Sequence, residues 1–273
     1  MEATSQVESK IDHKFIEHNG ATIHYFVSGN EQGETIVFLH PAFSDHRCFD
    51  KQIGYFSSNY RVITVDMLGH GLTGVGKSKD KILATTAHIM EILKAEKREQ
   101  THIVGVSLGS LLAQDYALKH PDKILSLAAL GGYNINREQP EVAKFQRREM
   151  FKWLFRMIFS MDAFRRYTAK VSVINEMEQA RFYESAKYFT RKSFTVMSGL
   201  GALIANRDVE RQCPLLIMAG EKDNDLALKM AKQWHEDEHD SEFHIIEKAG
   251  HCANMDNAEA FNSILMNFIA TVR

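Results

Sequence analysis

One stretch of this chain narrows the possible folds more than any other. Residues 101–106 form a largely apolar run of strand length, residues 108–119 are compatible with a helix, and Ser107 sits at the junction. An unbroken run of this kind is expected of a strand covered on both faces, because neither face alternates with water. The junction reads Gly105-Val106-Ser107-Leu108-Gly109. A serine at so sharp a strand-to-helix turn is held in strained backbone, with its Oγ projected above the sheet. Small residues at 105 and 109 let strand and helix approach each other. The competing reading is a serine that only caps the helix N-terminus.

The same signature recurs along the chain. Thr35–Leu39, Tyr60–Asp66, Ile124–Leu130, Leu215–Ala219 and Phe243–Ile246 read as further strands, and Phe15–Glu17 and Ile23–Val27 as a hairpin turning at Asn19-Gly20. Helical periodicity separates them at 86–97, 108–119 and 227–235. It returns at 258–270, where Phe261, Ile264, Leu265 and Phe268 share a stripe. Buried strands alternating with helices predict an α/β fold, a mostly parallel central sheet with helices on both faces. Residues 133–207 lack the strand signature and read as amphipathic helices inserted between two strands. The expected division is a core of 1–132 and 208–273 with a helical insertion at 133–207.

Composition closes off other classes. The formal net charge is -2, and no basic run stands apart from helical periodicity, which argues against a phosphate-backbone binder. No stretch of eighteen apolar residues exists to span a bilayer, and polar residues 1–10 cannot serve as the apolar region of a signal peptide. Cys48, Cys213 and Cys252 are too few and scattered for a disulfide framework or a zinc module. The expectation is a reduced, cytoplasmic protein with no metal and no cofactor. Cys252 is read as a packed bystander.

Ser107 needs a base before its hydroxyl can attack. Among thirteen histidines, His251 follows the strand at 243–246 in Ala249-Gly250-His251, where a loop should sit at the carboxyl edge of the sheet. His235 and His239 flank acidic residues and read as a solvated helical face. Asp223, in Gly220-Glu221-Lys222-Asp223, follows the strand at 215–219 and is the expected acid for His251. Asp225 competes, although it could instead cap the helix beginning near Leu226; Glu221 is a weaker rival that orients the turn or faces solvent. Developing oxyanion charge calls for two backbone donors. Leu108 N–H, directly after the serine, is one. The loop His40-Pro41-Ala42-Phe43 should supply the other, from Ala42 or, alternatively, Phe43, since Pro41 has no N–H.

With these pieces in order, the sequence resembles the α/β-hydrolase superfamily, in its capped branch of esterases, lactone hydrolases and carbon–carbon bond hydrolases. The resemblance rests on Phe38-Leu39-His40-Pro41, Asp66-Met67-Leu68-Gly69-His70-Gly71, the Ser107 junction, Gly220-Glu221-Lys222-Asp223 and Gly250-His251. It implies triad roles for Ser107, Asp223 and His251, oxyanion positions for Ala42 and Leu108, and a cap over the active-site mouth. Two departures stand out: Pro41 where the family commonly has glycine, and Ser110 where many relatives have another glycine.

In the expected cap, residues 137–192 carry 13 Lys/Arg against 7 Asp/Glu, a local balance of +6. Phe151, Leu154, Phe155 and Ile158 recur at helical spacing, ringed by Arg147, Arg148, Lys152 and Arg156. If that stripe faces inward, it lines a pocket for an apolar substrate group, with Met150, Met157 and Met161 as an adaptable wall. Basic side chains in water, an acidic acyl substrate, or interfacial membrane contact are the readings for the outer surface. The expected activity is hydrolysis of carboxylic esters of small molecules with apolar character, through an acyl-enzyme. The alternatives are a lactone, amide or carbon–carbon bond hydrolase, or a non-catalytic ligand-binding protein on the same fold.

Overall fold

The computed structural model describes residues 10–209, 211–238 and 240–272; His239 and the polar residues 1–9 lie outside them. Eight strands form one sheet in the order β1-β2-β4-β3-β5-β6-β7-β8. They are β1 (Asp12–His18), β2 (Ala21–Gly29), β3 (Thr35–Leu39), β4 (Arg61–Val65), β5 (Thr101–Val106), β6 (Ile124–Leu130), β7 (Leu215–Gly220) and β8 (Ser241–Ile246). The first two form an antiparallel hairpin on one edge, and β2 is antiparallel to β4. Every other neighbouring pair is parallel. The hairpin turns at Asn19 and Gly20, both at positive φ (47° and 82°), the pairing that a two-residue hairpin loop demands.

The helices are α1 (Asp50–Phe56), α2 (Thr85–Ala95), α3 (Leu108–Lys119), α4 (Pro140–Phe159), α5 (Met161–Ser172), α6 (Glu176–Ala186), α7 (Asp225–Asp237), α8 (Ala253–Asp256) and α9 (Ala258–Thr271). Alternate strand residues feed two cores. Val37, Leu39 and Ile103 pack with Ile89 and Ile92 of α2, Leu112 and Tyr116 of α3, and Trp234 of α7. Ile36, Phe38 and Val104 pack on the other face with Ile53 and Phe56 of α1 and Phe261, Leu265 and Phe268 of α9. The expected α/β class, with a largely parallel sheet and helices on both faces, is borne out. The parallel order also stacks the carboxyl ends of β3, β5, β6, β7 and β8 side by side, so that their outgoing loops meet.

Between β6 and β7 the chain forms α4, α5 and α6 and two short 3₁₀ turns, with no strand among the described residues. Met157, Phe164, Val173, Phe182 and Phe189 join the core on the α1/α9 side. The condition that the α4 stripe faces inward is not met by three of its four residues. Phe151, Phe155 and Ile158 are 64%, 63% and 69% exposed, and the residues that pack are Trp153, the half-buried Leu154 and Met157. Of the anticipated methionine wall, Met157 is buried, Met161 packs against the core and Met150 is exposed. The reason is geometric. Phe43 reaches up from the loop after β3 and sets its ring edge-on against Trp153, Phe164 and Phe189, each 5.0 Å away. That anchor selects the Trp153/Met157 face of α4 and leaves the phenylalanine face outside.

Candidate active site

The strand-to-helix junction has the strain that its sequence implies. Ser107 has φ 52° and ψ -113°, in the left-handed half of the map that a β-carbon disfavours. Its N–H donates to Leu130 O of β6 (2.8 Å), which fixes the turn to the sheet. The neighbouring glycines are obligatory here. A Cβ on Gly105 would lie 2.3 Å from Gly109 O, and one on Gly109 would lie 2.0 Å from Leu39 O. Contact that close brings the first turn of α3 onto the end of β3, beside the 40–43 loop.

His251 bridges the serine to the acid. Its Nε2 lies 2.8 Å from Ser107 Oγ and its Nδ1 lies 2.7 Å from Asp223 Oδ2. An ionised carboxylate only accepts, so the imidazole donates from Nδ1 and presents Nε2 as acceptor to the hydroxyl. Burial works against a charged imidazole, but the charge and hydrogen bond of Asp223 outweigh it and hold His251 above its ordinary value of 6.5. Asp223 is held in turn: its Oδ1 accepts from Asn224 N (2.7 Å) and Asn224 Nδ2 (2.9 Å). Asp225 is exposed and opens α7, while the helix cap is Asn224, whose side chain accepts from Ala227 N. The expectation that Asp225 caps the helix therefore gives way to its neighbour. Glu221 ties the two loops together, its Oε2 accepting from Lys248 N (2.9 Å).

The two candidate oxyanion donors face no competing acceptor. Among the described residues, neither Leu108 N–H nor Ala42 N–H has a hydrogen-bond partner; Leu108 is the first residue of α3, whose N–H groups have no intrahelical acceptor. The Phe43 N–H is also unpartnered, but Phe43 has φ 70° and its ring is committed to the aromatic anchor. Beneath this loop His40 Nε2 accepts from Met67 N (3.0 Å), so its proton sits on Nδ1, which donates to Pro41 O (2.8 Å). Burial lowers the His40 pKa despite nearby carboxylates, which favours the neutral ring. The loop that carries Pro41 is thus held from below. The second departure, Ser110, is also accommodated: its Oγ donates to Ser107 O (2.6 Å), and Gly132 makes room for it, since a Cβ there would lie 2.2 Å from that oxygen.

Two supporting residues, Gly131 and Asp256, escaped the sequence reading, as did the role of a third, Gly220. Gly131, at φ 63°, lies under His251; a Cβ there would come within 3.0 Å of the imidazole Cε1 and 3.1 Å of Nδ1. Gly220 allows the acid loop to cross the histidine loop, where a Cβ would meet Gly250 O at 2.0 Å. Asp256 accepts from Gly250 N (2.9 Å), next to the histidine, and from Ile174 N (3.1 Å) and Asn175 N (2.8 Å) at the α5–α6 junction. A glycine that directly follows a strand is the one signal that could have drawn attention to Gly131. Asp256 has none, because its partners are backbone groups, two of them some eighty positions away.

Other polar groupings do not meet this corner. Ligand atoms of His18, Asp80 and His88, and of Asp45, His46 and Asp66, come within 4.8 Å of one another. In the second set the carboxylates already serve Arg47, Ser185, His46 and Leu72 N. Cys252 is fully buried, and burial drives its thiol well above the ordinary range, as suits a packed bystander. A cavity of about 490 Å³ is bordered by Gln114, Lys119, Arg207 and Trp234 but by none of Ser107, Asp223 or His251; chemistry rather than volume marks the site.

A profile of the alpha/beta hydrolase fold matches residues 34–258. The chain belongs to the alpha/beta hydrolase family. It is 24% identical to (E)-2-((N-methylformamido)methylene)succinate hydrolase of Acinetobacter baylyi, covering 93% of this chain and 96% of that one. It is 25% identical to 2-hydroxy-6-oxononadienedioate/2-hydroxy-6-oxononatrienedioate hydrolase of a Pseudomonas species, over 94% and 96%. Among solved structures, a carboxylesterase of Nitrososphaera gargenis superposes with TM-score 0.81 at 19% identity, over 95% of this chain and 98% of that chain. This alpha/beta hydrolase is therefore a hydrolytic enzyme, and no helix among its described residues is long and apolar enough to cross a membrane.

Proposed function

We propose that this alpha/beta hydrolase cleaves carboxylic esters of small molecules, using Ser107 as nucleophile. The observation that carries the reading is the unbroken line from Ser107 Oγ through the His251 ring to Asp223. His251 Nε2 takes the hydroxyl proton as Oγ attacks the carbonyl carbon, and Asp223 stabilises the imidazolium that forms. The Ala42 and Leu108 N–H groups, with no other acceptor among the described residues, receive the negative oxygen. Collapse of the tetrahedral intermediate expels the alcohol, protonated by His251, and leaves an acyl-serine. Water, deprotonated by the same imidazole, then releases the acid. Residues 133–207 act as a cap, seated through Phe43 on the loop that carries Ala42.

The same apparatus serves lactones, amides and activated carbon–carbon bonds, and the hydrolases named above include examples outside simple esters. Labelling with a fluorophosphonate probe tests the nucleophile: wild type reacts at Ser107 and Ser107→Ala does not. Turnover across p-nitrophenyl esters, lactones and vinylogous diketones then ranks the bond types. A folded wild type that neither labels nor turns over any of these is a binding protein on this fold.

A further inference from the structure

The outward face of α4 is built unlike a solvated helix surface. Phe151, Phe155, Ile158 and Phe159 are 64%, 63%, 69% and 71% exposed, and the rings of Phe155 and Phe159 lie 4.7 Å apart. At 1.5 Å per residue the 20-residue helix is about 30 Å long, and these four side chains occupy its C-terminal half. Steps of three and four residues place Lys144, Arg147 and Arg148 on the same face, one to three turns earlier. All three cations are exposed and have no ion-pair partner among the described residues. The acids of the helix are already engaged. Glu141 pairs with Lys229, and Glu149 binds both Lys152 and Tyr167. Arg156 lies over the Tyr167 ring.

We propose that this face docks on an anionic lipid surface. The phenylalanines and Ile158 enter the headgroup–acyl boundary, and Lys144, Arg147 and Arg148 lie against lipid phosphates. Charge selects this occupant over a second copy of the chain. Another copy would bring the same unpaired cations and no free carboxylate from this face, whereas an anionic leaflet supplies the counter-charge and an apolar layer together. The opposite face of α4, with Trp153 and Met157, stays packed over the loop of Ala42 and Phe43. Docking leaves Ser107 chemistry unaltered and stands independently of which bond the enzyme cleaves.

The test is co-sedimentation of the full chain with vesicles of phosphatidylcholine alone and of phosphatidylcholine containing phosphatidylglycerol. Wild type and Ser107→Ala should bind the anionic vesicles equally and leave the neutral ones largely free. Exchanging Phe151 and Phe155 together for serine should weaken binding at least about tenfold. Exchanging Arg147 and Arg148 together for alanine should weaken it about thirtyfold on anionic vesicles, about fivefold per charge, with a matching sensitivity to salt. Both pairs lie on the surface, and an unchanged thermal midpoint verifies their folding. Failure of folded wild type to bind anionic vesicles overturns the proposal, as does undiminished binding by the serine variant. Sedimentation equilibrium covers the remaining occupant: a dimer abolished by Phe155→Ser, without vesicle binding, assigns the face to a second copy.

Discussion

The corner that holds Ser107 and the outer face of α4 obey opposite rules. At the corner, positions 105, 109 and 220 tolerate no Cβ, one at 131 would press on the His251 ring, and each polar group of the serine–histidine–aspartate line has a partner within 2.9 Å. On α4, large apolar rings stand in water, and cations go unpaired. Substitution at the corner should therefore damage function out of proportion to the atoms changed, while substitution on α4 should leave the fold and the chemistry nearly untouched.

The largest effect tests the corner directly. Ser107→Ala should lower ester kcat about 10⁶-fold with its thermal midpoint preserved, the scale seen when a hydrolase loses its nucleophile. Asp223→Asn should cost about 10⁴-fold by favouring the wrong imidazole tautomer, whereas Asp225→Asn should stay within a few-fold. Comparable losses in the two variants would put the acid assignment aside. The same pair bears on pH. Because Asp223 holds His251 above 6.5 and the base must be neutral, the acid limb of kcat/KM should lie above 6.5 and move down in Asp223→Asn. The sign for stability is opposite: the contribution of charged His251 is complete below 6.5 and disappears as pH rises through its folded value.

Smaller effects probe the support beneath. Gly131→Ala should reduce kcat about 10²-fold by displacing the imidazole, with little change in KM; a purely structural role would lower the thermal midpoint and spare kcat. Asp256→Ala should cost about 2 kcal/mol of stability by stranding backbone N–H groups, and about tenfold in kcat, with partial recovery in Asp256→Asn. At the bottom of the scale, Phe155→Ser should change unfolding free energy by less than about 0.5 kcal/mol and soluble-ester kcat not at all. A large loss of stability in Phe155→Ser would mean that the two regions do not differ as described.

The same contrast explains what could be read from the chain. Strand β6 and helix α3 occupy the residues expected of them, because a strand covered on both faces must be apolar throughout and a junction serine between glycines has few other uses. Ser107, Asp223 and His251 could be singled out because each follows a recognisable strand. The orientation of α4 could not. Periodicity shows that Phe151, Phe155 and Ile158 share a face, but only the Phe43 anchor, more than a hundred residues earlier, decides which face turns inward. Asn224 as the cap of α7 was hidden by its acidic neighbour Asp225, since either side chain suits that position. Gly131 and Asp256 act on neighbours that exist only once the chain has folded.

Asp256 carries a consequence for how the enzyme should fail when heated. One carboxylate fastens both the loop of His251 and the root of α6, and Cys252 N adds a bond to Ser172 O. The α5–α6 junction and the seat of the imidazole should therefore open or stay shut together. Amide exchange at Ile174, Asn175 and Gly250 should report a shared opening free energy below that of the central strands. Inactivation would then precede melting, and the temperature at which catalysis stops would be set by the seam between the α5–α6 junction and the His251 loop.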